Sequence, residues 1–398
     1  MTYCRALIRL ALVCGFGLAG LATAGLGTAY ASSPTCSVSW TGNAGNGLWN
    51  TASNWSTHKV PGPGSDVCIL TLATVNATPP ISVHSVQVGE GASLLFGSGS
   101  VAIATSLTNQ GFIQLTGTTL SAGSIDLSAP GDITTCGNSS ITSPAFSTTG
   151  TVSVGTGGML RLADNPVQLQ NGTLSGGSWL VSGVLVIPGD ITQLTTQGTV
   201  VAIDGQGSAV QDASGHNALA TLTSVDSGVA LAVDDSASLA VAQGLTSQGV
   251  IDVDSGRSLT VSGPYTQASG ATTNMSAGSL SAASVSVQSG STLQGNGTVT
   301  GPVTDNGDVA PQGSLTVTGT YTQTASAALT EQFGSTLNVD SNASLSGALD
   351  VTVNLKHPPK SGASYTAVTF GSLTGSFTSH TAGFTLATGA TNIQVTKQ

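Results

Sequence analysis

The chain has 398 residues, a formal net charge of −10, and only 7% charged residues, with 53 glycines. So few Lys and Arg exclude a phosphate-binding surface, which needs clustered cations to displace counterions, and an anionic membrane face for the same reason. Mean hydropathy is positive, so the composition is not that of a disordered chain, which combines low hydrophobicity with high net charge.

Residues 1–31 read as a secretory signal peptide. Arg5 and Arg9 form the positive start, Leu10 to Gly27 an apolar run, and Ala29-Tyr30-Ala31 a small-residue cleavage site. After it, no run is long enough for a transmembrane helix. The expected location is secreted or extracellular, either released or held at the cell surface by a means the sequence does not show.

Residues 32–72 form a Trp-rich module holding three of the four tryptophans, Trp40, Trp49 and Trp55. Large aromatic rings so close in sequence predict a local core or cap. The functional alternative is a platform stacking on sugar rings. Cys36 and Cys68 bracket the module and are the disulfide candidates, which leaves Cys136 over.

From residue 73 onwards the chain repeats short phrases. One is aliphatic-Thr-x-(Gln/Asn)-Gly-x-aliphatic, at 107–113, 194–200, 245–251 and 303–309. Another is a small turn followed by Ser/Thr-Leu, as at Ser236-Ala237-Ser238-Leu239 and Gly256-Arg257-Ser258-Leu259. Each phrase holds a short strand with alternating apolar residues, bounded by turn formers. Strands this short bury a core only by stacking. The predicted fold is all-β, a right-handed parallel β-solenoid (β-helix) of about 20 residues per rung, with residues 32–72 as its cap. Solenoid repeats span 73–325, and further repeats with a closing cap span 326–398. A β-sandwich is the rival, but it usually carries more aromatic and charged residues.

The stretch at 288–377 resembles passenger domains of bacterial autotransporters and related secreted β-helix exoproteins. The resemblance rests on Gly295, Gly297, Thr298, Val299, Asn306, Gly307, Pro311, Leu315, Val317, Gly319, Tyr321 and Gln323. Gln312 departs from the family's usual Gly. The resemblance implies a right-handed β-helix displayed or released outside the cell, although no translocator barrel is recognisable before Gln398.

For chemistry the residues offer little. Glu occurs only as Glu90 and Glu331, and the five His lie without metal-ligand spacing. The best polar cluster is Asp252, Asp254 and Arg257, with Asp234 and Asp235 one phrase earlier. Its oxygens suit Ca²⁺ or a carbohydrate groove. The plainer reading is a set of solvated turn residues. No cofactor, metal site or catalytic set is expected. The expected role is a structural or adhesive solenoid whose partner is an extracellular glycan or cell-envelope polymer, not nucleic acid. The alternatives are a carbohydrate-active β-helix enzyme, and an ice-binding or other flat-face solenoid using Thr-x-Thr pairs such as Thr316/Thr318.

Overall fold

The computed structural model describes residues 35–398 apart from Ser236. The leader at 1–31, the first residues of the Trp-rich module and Ser236 lie outside the described residues. The chain is all-β, with one three-residue 3₁₀ turn at Ala52–Asn54 as its helical element among the described residues. It forms a β-solenoid of parallel stacked coils, about 14 turns in all, distributed over two compact units that meet in sequence at Ala163/Asp164. No helix among the described residues is long and apolar enough to cross a membrane.

Register explains why such short strands are stable. In the first unit, Val75, Leu94, Ile113, Ile133 and Val152 occupy one position of successive coils. All five are at most 1% exposed. In the second unit the equivalent row runs Val201, Leu231, Ile251, Thr273, Leu293, Val309 and on to Leu349. Each strand presents alternate residues inward, so each aliphatic side chain sits between its counterparts one coil above and below. Burying one contributes about 1.5–3 kcal/mol, and the interior is continuous along each stack.

The corners account for the recurring Gln/Asn-Gly phrase. Asn109, Ser247 and Asp305 end their strands pointing inward, each 0% exposed. The Asn109 and Asp305 side chains accept the amides of Gly111 and Gly307, at 3.0 and 2.9 Å. The glycine then passes close under the previous coil. A Cβ on Gly111, Gly249 or Gly307 would lie 2.3–2.4 Å from a carbonyl oxygen. The copy at 194–200 departs from this. Its Gly198 has φ +89° and open space around it, so it serves a turn rather than a close crossing.

At the start of the first unit, Val38–Ser39 pairs in parallel with Asp66–Ile69, which pairs with Ser85–Val88. Cys36 and Cys68 are joined in a disulfide with Cα atoms 5.7 Å apart. Cys136, partly buried, stands outside that bond. At the far end of the second unit, Ser364–Gly375 continues the parallel stack on Thr336–Leu345 but pairs antiparallel with Asn392–Lys397, itself paired with Phe384–Thr388. The reversal ends the coil repeat and covers an edge that would otherwise offer unpaired backbone groups.

Candidate functional site

The three tryptophans of the first module turn toward one another. Trp55 lies edge-on to both Trp40 and Trp49, with centroids 4.9 and 4.8 Å apart. Its indole N–H donates to the Trp49 carbonyl at 2.7 Å. The rings are 5%, 1% and 0% exposed for Trp40, Trp49 and Trp55, so in this arrangement their faces are occupied by packing. Asn54, also 0% exposed, anchors the preceding loop through Asn46, Ala44 and the Leu48 carbonyl.

Asp252, Asp254 and Arg257 are close in sequence but take three different partners. Asp252, 5% exposed, heads an amide ladder. Asn274 on the next coil donates to it at 2.5 Å, and Gln294 on the coil after donates to Asn274 at 2.6 Å. Arg257 reaches back to Asp235 at 3.3 Å, with Asp235 82% exposed, so this ion pair is largely screened. Asp254 lies on the coil after Asp234, close enough for its charge to act on it.

Asp234 is the residue the cluster is built around. Asp204 and Asp234 are register partners, and the next coil places Asp254 in line, its neighbour Val253 pairing with Val233. Burial first, then the charges of Asp254, Asp252 and Asp204, push the Asp234 carboxyl up to about 7. Three carboxylates crowding a fourth cannot all ionise cheaply, so Asp234 holds a proton over a pH range in which ordinary carboxylates have lost theirs. Burial likewise raises Asp252. Chemically, the row can donate a proton or a hydrogen bond to an acceptor on the face of the solenoid. The described residues contain no group of three or more His, Cys, Asp or Glu arranged to hold a metal ion.

Asp204, Asn274 and Gln294 were not selected from the sequence. The signal for Asp204 was present as an aliphatic-Asp ending shared by 200–204, 230–234 and 250–254, but only the register shows that these endings stack.

A second feature appears only in three dimensions. Ser224, Thr246, Thr266, Ser286, Thr304, Thr322, Ser344 and Thr374 occupy one outward position on eight successive coils of the second unit. Their hydroxyls therefore repeat at about the 4.8 Å spacing of adjacent strands. On the neighbouring face Ser258, Ser279, Thr298 and Thr316 align in the same way. On this face the Thr-x-Thr pair spans two coils, 298–300 and 316–318, with Ser279 before it and Asn338 after it in register. No protein-family model, curated protein or solved structure matches this chain.

Proposed function

We propose that this chain is a secreted or surface-held structural and adhesive β-solenoid, which binds an extracellular glycan or envelope polymer along its hydroxyl-bearing faces. The observation that carries this reading is the column of eight in-register Ser and Thr residues from Ser224 to Thr374. A rigid ladder of donors and acceptors at constant spacing suits a repeating polyhydroxyl partner. It loses little entropy on binding because each side chain is short and the backbone is already ordered. Affinity of this kind is distributed along the column, so no deep pocket is required.

The test is a glycan array together with pull-down on insoluble polysaccharides, using wild type and a Thr266→Val/Thr304→Val/Thr322→Val triple variant. Binding that the triple variant loses supports the reading. The absence of binding to any polymer, or equal binding by the variant, defeats it. Thermal hysteresis in place of glycan binding would favour the ice-binding alternative.

The acid row motivates the enzyme reading. A carboxylic acid held protonated beside ionised carboxylates is the arrangement required for general acid work on a glycosidic oxygen. Polysaccharide depolymerisation that Asp234→Asn abolishes would establish that reading over the adhesive one.

A further inference from the structure

The interior of the second unit is mostly aliphatic, with buried Ser247, Tyr265, Gln267 and Thr273 midway along it, and near its C-terminal end carboxyl groups enter the core. Asp305 and Glu331 are both 0% exposed. Asp305 lies at the inner end of Val303–Asp305, and Glu331 points inward from Ala328–Gln332. Each meets one phenol. The Tyr321 hydroxyl donates to Asp305 Oδ2 at 2.8 Å, and the Tyr365 hydroxyl donates to Glu331 Oε2 at 3.0 Å. Glu331 Oε1 has no hydrogen-bond partner.

The surroundings make this cluster unusual. Tyr321 feels Asp305, Asp308 and Glu331 together, and Asp308 in turn faces Asp350. The polar groups that act on Asp305 and Glu331 are acids, phenols and backbone amides. The ion pairs of the described residues, His84–Asp66, His216–Asp212 and Arg257–Asp235, lie elsewhere. A buried carboxylate needs a cation or several donors to offset its lost hydration, and here each has one phenol and one backbone amide, from Gly307 for Asp305 and Leu337 for Glu331.

We propose that this acid–tyrosine cluster is a proton-operated latch on the C-terminal coils, closed when Asp305 and Glu331 carry protons and loosened when they ionise. Protonated, each acid is neutral, and each can still accept its tyrosine's hydrogen bond. Ionised, each leaves a charge inside an apolar stack. Burial raises Asp305 to about 7 and Glu331 well above the usual carboxylate range. The folded coils therefore bind more protons than unfolded ones from about pH 4 upward. Their stability is complete in acid and falls as pH rises toward neutrality. This inference stands independently of any ligand on the outer faces.

Hydrogen exchange read by mass spectrometry on the full chain tests it, with rates corrected for the intrinsic effect of pH. Opening of Thr336–Leu345 and Ala328–Gln332 should rise by up to about tenfold per pH unit for each proton released, over roughly pH 5 to 7. Ser93–Phe96 in the first unit, two coils from the single raised acid Asp132, should show a shallower profile, with one proton released in place of two. In an Asp305→Asn/Glu331→Gln double variant, whose amides imitate the protonated acids, the slope should fall markedly, leaving the smaller part that Asp308, also raised by burial, contributes. A flat wild-type profile overturns the latch, and so does a double variant that keeps the full slope. If the variant does not fold, the wild type still decides. In an Asp234→Asn background, where that raised acid no longer contributes, the infrared carbonyl band of protonated carboxylic acid must persist near pH 6 in the folded chain and vanish on unfolding, and its absence from the folded chain overturns the proposal.

Discussion

Replacing Gly307 by Ala adds one methyl group at a corner where two coils cross closely. The new Cβ would stand 2.3 Å from the Gln288 carbonyl oxygen and 2.6 Å from that of Ser291. Both obstacles are backbone atoms of the previous coil, so no side-chain rotation relieves the clash. The coils must separate locally, which disturbs the amide that Asp305 accepts from residue 307 and the strand pairing on either side. Overpacking of this kind costs about 1–3 kcal/mol, and the rigidity of the ladder places the expected value at the upper end. Gly62→Ala is the control, because nothing lies within 4 Å of its Cβ position and its φ is not in the left-handed region. That change should be neutral or stabilise by up to about 1 kcal/mol through the unfolded chain. Urea denaturation followed by far-ultraviolet circular dichroism measures both. If Gly307→Ala leaves the midpoint within experimental error of wild type, or if Gly62→Ala harms the protein as much, the close-approach argument fails.

Trp55→Ala should destabilise the first unit by about 3–5 kcal/mol, since a fully buried ring and its hydrogen bond to Trp49 are lost together; tryptophan fluorescence during thermal unfolding reads the change. Removing the Cys36–Cys68 disulfide by a double Ser substitution should cost about 2–4 kcal/mol, seen as earlier protease cleavage within residues 36–68 while later coils remain protected. Asp234→Asn should reduce the pH dependence of stability between about 4 and 7. The wild-type carboxyl, raised in the folded state to about 7, favours folding while protonated and loses that advantage as pH rises through this window. Melting temperatures at pH 5 and pH 8 check the sign: the gap between them should narrow in the variant, and an unchanged gap refutes the assignment.

The all-β class, the stacked-coil architecture and the Cys36–Cys68 pair were legible in the amino-acid sequence because they depend on local chemistry. Alternating aliphatic residues, turn formers at short intervals and few helix-forming charges leave stacking as the way to build a core. The Gln/Asn-Gly phrase was equally visible, but its meaning was not. At 109–111, 247–249 and 305–307 it marks a close crossing, whereas at 194–198 nearly the same letters make an open turn, because the neighbouring coil lies elsewhere. The polar cluster shows the same division. Asp252, Asp254 and Arg257 look like one group along the chain, yet the fold sends them to Asn274, Asp234 and Asp235. Sequence neighbours on a strand face opposite sides or different corners, while residues about 20 positions apart are brought into contact. Inter-coil register therefore decides which carboxylates crowd Asp234, which hydroxyls align from Ser224 to Thr374, and which acids are carried into the core at Asp305 and Glu331. Composition determined that this chain would stack; only the stacking determined what each side chain meets.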